Sequence, residues 1–224
     1  VTAGASRPRW RRRLAIAVSA PFAVLVALLA LWRFAPPVST LMLYHWARGE
    51  PANRRFTPLD QIAPSLARSV IASEDARFCR HWGVDWGELR DVMEDEDGPD
   101  RGASTISMQT AKNLFLWHGR SYVRKAIEIP LALALDLAWP KRRTLEVYLN
   151  IAEWGPGVFG AEAAAQRYFG RSAAQLTPGQ SALLAAALPN PALRNPARPS
   201  PRHARVAAII AARARDGVGL DDCL

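Results

Sequence analysis

The chain has 224 residues, half of them hydrophobic, which fits one domain of ordinary size plus an appendage and is long enough for a real core. Its formal net charge of +9 would alone suggest nucleic acid, but Arg7, Arg9, Arg11, Arg12, Arg13 and Arg33 supply six of those charges with no acid among residues 1–33, leaving +3 for residues 34–224. That distribution argues against a nucleic-acid partner and leaves a mildly basic domain suited to anionic lipid or a diphosphate.

Leu14 to Trp32 is a run of 19 residues without a charge. As a helix it would extend roughly 28 Å, against about 30 Å of bilayer hydrocarbon. Arginines crowd its N-terminal side, and Trp10 and Trp32 sit near its ends where interfacial aromatics belong, so the reading is a single transmembrane helix with the N-terminus cytoplasmic. A cleaved signal peptide is the alternative; the run is long for one, and no clear small-x-small cleavage site follows it. The boundaries expected are a basic tail over residues 1–13, the span 14–32, a membrane-proximal segment 33–55, a main domain 56–200 and a basic C-terminal helix and tail 201–224.

Ala35-Pro36-Pro37 should stop the first helix, and the apolar stretch Val38 to Trp46 either continues into the lipid surface or packs on the domain. Leu59, Ile62, Leu66 and Val70 then follow helical spacing and place Glu74 near the end of an amphipathic helix. Asp91 to Asp100 holds six acids with Gly98 and Pro99 and reads as a loop. Residues 127–138 alternate with a strand period, yet their Leu and Ala content favours a buried helix, with Pro130 best placed in a first turn. Ala161 to Tyr168 and Ser181 to Leu188 are Ala-rich helices divided by Gly170 and Pro178-Gly179, and Arg202 to Arg215 reads as a terminal basic helix. Cys79 and Cys223 have neither metal-ligand nor redox-motif spacing, and because Cys223 is penultimate on what reads as a loose tail, two free thiols are expected.

Chemistry concentrates between residues 71 and 128. Ser73-Glu74-Asp75-Ala76-Arg77-Phe78, with His81 and Gly83 beyond, sets two acids in apolar surroundings that raise a carboxyl pKa, as a general acid or base requires. Arg101 to Asn113 (RGASTISMQTAKN) offers hydroxyls, an amide and a cation, a composition suited to sugar and phosphate. In order and wording these two motifs resemble the peptidoglycan glycosyltransferases that polymerise lipid II. Arg124-Lys125-Ala126-Ile127-Glu128 resembles that family's third motif, Lys141 to Asn150 with Gly155 its fourth, and Leu183 to Pro191 with Asn195-Pro196 its closing segment.

The resemblance implies a mostly α, lysozyme-like helical domain behind one transmembrane helix in the bacterial inner membrane, with the catalytic domain periplasmic. It further implies inverting transfer, in which the GlcNAc 4-hydroxyl of one lipid II attacks the MurNAc anomeric carbon of the growing chain and undecaprenyl diphosphate is released. Glu74 would be the base and Glu128 the second functional glutamate. Asp75, Ser104, Thr105, Gln109, Lys112, Asn113, Arg120, Arg124 and Lys125 would bind substrate, the last four cations among them (Lys112, Arg120, Arg124, Lys125) facing the diphosphate. A carboxylate beside a diphosphate needs a cation between them, either Arg124 and Lys125 or a divalent metal (Mg2+ or Mn2+); no cofactor is obligatory, and metal ligands are unassigned. Met108 stands where many relatives carry a glutamine. His81 reads as a turn lock, and Glu146 as an anchor for Lys141 or Arg142. A cell-wall synthesis complex is the expected partner. The chain contains no Ser-x-x-Lys, so a monofunctional polymerase without peptide cross-linking is expected. Two other readings remain open: a lytic or lysozyme-like hydrolase, which would need neither anchor nor cationic site, and a non-enzymatic membrane scaffold.

Overall fold

The computed structural model describes residues 9–94, 104–117, 119 and 121–224. It divides into two units, one ending at Ala35 and the other Pro36–Leu224. The first is a single helix, α1 (Arg9–Trp32), with Pro21 in its interior and Phe22, Val24, Val26 and Leu31 exposed along it. Among the described residues no helix is long and apolar enough to cross a membrane; the run 14–32 includes Leu14, Ala15 and Val18, whose side chains are not among those described.

The second unit contains α2 (Thr40–Ala47), β1 (Asn53–Arg54), α3 (Pro64–Glu74), α4 (Trp86–Glu94), α5 (Ile106–Phe115), α6 (Tyr122–Ala138) and α7 (Lys141–Ile151). After these come β2 (Glu153–Gly155), β3 (Val158–Phe159), α8 (Ala161–Phe169), α9 (Pro178–Ala187) and α10 (Pro201–Asp216). The mostly helical class agrees with the sequence reading. The small sheet is new: β3 lies between β1, to which it is parallel, and β2, to which it is antiparallel, with Asn53 opposite Val158 and Glu153 opposite Phe159. Strands of two or three residues are too short to carry an alternating pattern, so nothing in the sequence announced them. Because β1 is paired and α10 packs on α3 and α9, residues 36–55 and 201–224 fold with the main domain and are not separate segments.

Helix boundaries follow local chemistry. Thr177 and Gln180 form a reciprocal capping box at the start of α9, so Pro178, read as a divider, instead opens the helix where its missing N–H is harmless. Pro130 sits in the interior of α6 and not in its first turn. Glu128, Ala132 and Leu135 of that helix are buried, a spacing of four and three that overrides the strand-like alternation. Asp91 and Glu94 lie in α4, not in a loop, while residues 95–100 of the acidic run fall outside the described residues.

One core joins α3, α7, α8, α9 and α10 through Leu66, Val70, Ile71, Leu145, Leu149, Trp154, Leu184 and Ile210. Ala161, Ala164 and Ala165 of α8 and Ala182, Ala185 and Ala186 of α9 are buried in it, and such small side chains let packed elements approach closely.

The C-terminal tail corrects the expectation of free thiols: Cys79 and Cys223 are disulfide-bonded, with Cα atoms 5.4 Å apart. The tail is not loose. Arg68 of α3 donates to the carbonyls of Ala214 (2.8 Å) and Gly217 (2.9 Å) and pairs with Asp221, and Leu220 is buried, which together carry Cys223 to Cys79. Replacing both cysteines by serine should cost about 2–5 kcal/mol. In thermal unfolding, reductant should lower the Tm of the wild type and leave that of the double variant unchanged.

Candidate active site

Glu74 is the last residue of α3 and Asp75 caps it. The Asp75 carboxylate is buried and fully engaged, Oδ1 lying 2.8 Å from His81 Nε2 and Oδ2 accepting the backbone N–H of Ile106 at 2.9 Å. It therefore fastens the end of α3 to the first residue of α5. Thr105, the N-cap of α5, accepts from Met108 N at 3.1 Å and donates to the Gly83 carbonyl at 2.5 Å. Gly83 lies against α6: its φ is +67°, and a Cβ there would meet the Ala132 carbonyl oxygen at 2.7 Å. Its N–H donates to Asp136 Oδ2 at 2.9 Å, and Ser107 Oγ donates to Asp136 Oδ1 at 3.2 Å.

With α5 so fixed, Gln109 and Lys112, three residues apart on one helical face, are turned toward Glu74. Gln109 Nε2 donates to Glu74 Oε2 at 2.9 Å, and Ser73 Oγ donates weakly to Oε1 at 3.4 Å. Burial pushes the Glu74 carboxyl above its ordinary value and Asp75 adds to the rise, while the bonds from Gln109 and Ser73 and the charge of Lys112 act against it. Burial likewise lowers Lys112, against the pull of Glu128; Arg124 and Lys125 lower it further. Among the described residues the Lys112 ammonium has no hydrogen-bond or ion-pair partner, so it is a cation surrounded by charge but not neutralised by contact.

The second carboxylate, Glu128 of α6, is buried and holds two cations: Arg124 through Oε1 and Lys125 Nζ through Oε2 at 3.3 Å. Arg124 and Lys125 lie one helical turn before it, and Lys125 also donates to Ser104 Oγ at 2.7 Å. Ser121 caps this helix, its Oγ accepting from Arg124 N.

The structure thus brings Glu74, Gln109, Lys112, Ser104, Arg124, Lys125 and Glu128 together. Thr105 and Asp75 are buried in joints that hold the site. Asn113 is half-buried, and its backbone carbonyl accepts from Thr40 Oγ1 at 3.2 Å. Arg120 lies outside the described residues. Met108 is fully buried, so this position belongs to the core. Glu146 pairs with Arg143, three residues earlier on α7, and accepts from Leu59 N at 2.9 Å; neither Lys141 nor Arg142 is its partner. Lys141 Nζ instead lies 3.0 Å from Asp136 Oδ1 and 4.7 Å from the Phe78 ring centroid.

Tyr148 was not counted with the site residues. It is buried on α7, and its hydroxyl donates to Gln109 Oε1 at 3.1 Å. The signal was present in the sequence: a tyrosine between Leu145, Val147 and Leu149 must find a partner for its hydroxyl if the face is buried.

A buried carboxyl whose pKa is raised in the fold binds more protons folded than unfolded between its ordinary value of 4.5 and the raised one, so stability falls as pH rises through that window. Glu74→Gln removes this cost. Its Tm should exceed that of the wild type at about pH 7–8 and converge with it below about pH 4, as differential scanning calorimetry across pH would show.

Comparison with known proteins places residues 41–215 within the family model described as Transglycosylase. The protein named biosynthetic peptidoglycan transglycosylase in Brucella suis biovar 1 (strain 1330) is 53% identical over 212 residues, covering 92% of this chain and 95% of that protein. The protein of the same name in Rhodopseudomonas palustris (strain TIE-1) is 53% identical over 217 residues, 94% of this chain and 92% of its own. That of Rhizobium meliloti (strain 1021) is 51% identical over 227 residues, 98% and 96%.

Proposed function

Because the chain belongs to the transglycosylase family, we propose that the site built around Glu74 catalyses glycan-strand synthesis from lipid II in the following way. The observation that carries this reading is a partly buried carboxylate, Glu74, hydrogen-bonded by Gln109 at 2.9 Å, with Lys112 on the same helix as Gln109 and without an ion-pair partner among the described residues. The enzyme polymerises lipid II for the cell wall. Glu74 takes the proton of the attacking GlcNAc 4-hydroxyl; a raised pKa brings it closer to the range in which a base is both ionised and strong enough to be useful. The oxygen forms its bond to the MurNAc anomeric carbon from the face opposite the departing oxygen, and the C–O bond to the lipid diphosphate breaks with its electron pair leaving on the diphosphate.

Lys112 meets that developing charge directly, since among the described residues no carboxylate holds it by contact. Arg124 and Lys125 are kept in place by Glu128, and on diphosphate binding they share their donors between the carboxylate and the phosphates. The donor set does not suit a protein-held divalent metal. Both Glu128 oxygens are engaged by cations, and among the described residues no group of three His, Cys, Asp or Glu side chains could hold an ion. Leaving-group stabilisation is therefore attributed to the three basic side chains.

The uncharged run 14–32, with arginines before it, supports a single-pass anchor that leaves the catalytic unit outside the cytoplasm. The Cys79–Cys223 disulfide suits an oxidising compartment, and exposed Leu43, Tyr44 and Trp46 on α2 suit a surface working beside lipid. Such a placement matches a substrate that itself carries a lipid, and puts the enzyme where a wall-synthesis complex would recruit it.

The test is incubation of detergent-solubilised protein with labelled lipid II and gel separation of the products, with and without divalent metal. Wild type should polymerise in both conditions. Glu74→Gln should lose roughly 10²–10⁴-fold in rate, and Lys112→Gln roughly 10²–10³-fold. Shortening of preformed glycan without polymer would replace this reading by the hydrolase.

A further inference from the structure

The mechanism above makes no use of Tyr148, although its hydroxyl is buried and reaches the residue that contacts the base. We infer that Tyr148 is a positioning residue: its hydroxyl fixes which end of the Gln109 amide faces Glu74, and so holds Glu74 in the form able to accept a proton. The inference rests on Glu74 being the general base.

Hydrogen-bond bookkeeping leads there. A glutamine amide has an oxygen that accepts and a nitrogen that donates, in nearly the same shape, so its orientation is decided by its neighbours. Here Oε1 lies 3.1 Å from the Tyr148 hydroxyl and Nε2 lies 2.9 Å from Glu74 Oε2. In this orientation the tyrosine donates, the amide oxygen accepts, and the amide nitrogen donates to an ionised carboxylate. Turning the amide over would put its oxygen against Glu74, an arrangement that is favourable only when Glu74 carries a proton to donate. The amide nitrogen would then face the tyrosine oxygen, and the tyrosine proton would have no acceptor among the described residues. An orphaned donor in a dry interior is costly, so Tyr148 opposes the turned amide and with it the protonated base.

Phenylalanine at 148 removes that bias. The amide oxygen loses its donor whenever the nitrogen faces Glu74, and the turned amide becomes accessible, accepting from protonated Glu74. Burial raises the tyrosine's own pKa well above its ordinary value, so its hydroxyl keeps its proton throughout the range in which Glu74 titrates. The titratable and charged groups facing this pair are Asp75 beside Glu74 and Lys112 from α5; Arg124, Lys125 and Glu128 of α6 act on Lys112. None of these is altered by removing one hydroxyl from α7.

The experiment measures the pH dependence of lipid II polymerisation for wild type, Tyr148→Phe, Gln109→Ala and the double variant, each referred to its own alkaline plateau, with Glu74→Gln run in parallel. Tyr148→Phe should move the acid limb upward by about 0.5–1 pH unit, the size expected of one buried hydrogen bond. The same substitution should produce no further movement once Gln109 is alanine. An unmoved limb in Tyr148→Phe, or an equal movement with and without Gln109, would overturn the relay and leave Tyr148 a packing residue. Polymerisation by Glu74→Gln would instead overturn the assignment of the base. If Tyr148→Phe fails to fold, 3-fluorotyrosine placed at 148, a stronger donor of nearly unchanged shape, must move the limb downward; no movement there would also sink the inference.

Discussion

The Asp75 carboxylate is the joint on which the site depends. The helix that ends at Glu74 stops abruptly, and its partner helix begins where it can present the Gln109 amide and Lys112 toward that glutamate. Asp75 does both with one buried group, accepting the first N–H of α5 and gripping His81. An acid at a helix N-terminus is also favoured by the helix dipole, so the bond that fixes geometry is in addition electrostatically sound. Gly83 completes the joint, because only a residue without a side chain can pass so close to the α6 backbone while its carbonyl receives Thr105.

From that joint the charges sort themselves into two environments. On α6, Glu128 is buried with Arg124 and Lys125 against it, and a buried carboxylate so paired avoids the penalty of an uncompensated charge. On α5 Lys112 has no such contact among the described residues, and its ammonium bears the cost of burial. Glu74 bears a similar cost from the opposite sign. The fold therefore holds one acid and one base in surroundings that disfavour their charged forms, and α7 stabilises the frame around them. Asn150 ties Thr57 to α7 through bonds of 2.7 and 2.8 Å, and Glu146 does the same for Leu59.

Most elements were legible because their signals are local. The spacing of Leu66 and Val70 marked α3 and put Glu74 at its end, and the Leu and Ala content of residues 127–138 outweighed a misleading alternation. Where the reading failed, the deciding interaction was between segments far apart in sequence. Cys79 and Cys223 are separated by 144 residues, and the grip of Arg68 on the tail together with the burial of Leu220 brings them together. Thr105 and Asp75 are buried at the N-terminus of α5, one as its N-cap and the other as acceptor of the Ile106 N–H, a placement that their sequence neighbours do not announce. The choice of Arg143 over Lys141 as partner of Glu146 is set by which face of α7 meets residues 57–59, which no composition reveals.

The sequence by itself determined the class of fold, the order of the helices, and the candidate glutamates Glu74 and Glu128 with the four candidate cations Lys112, Arg120, Arg124 and Lys125, because residue type fixes what a side chain can donate, accept or carry. Tertiary structure alone decided which of those groups are free and which are spent. Among the described residues Lys112 is left without a contact partner while Lys125 is held, Gln109 accepts from a tyrosine on another helix, and the tail is locked to the segment after Glu74. Availability is a property of neighbours in space, and helix packing sets those neighbours over separations that sequence spacing does not encode.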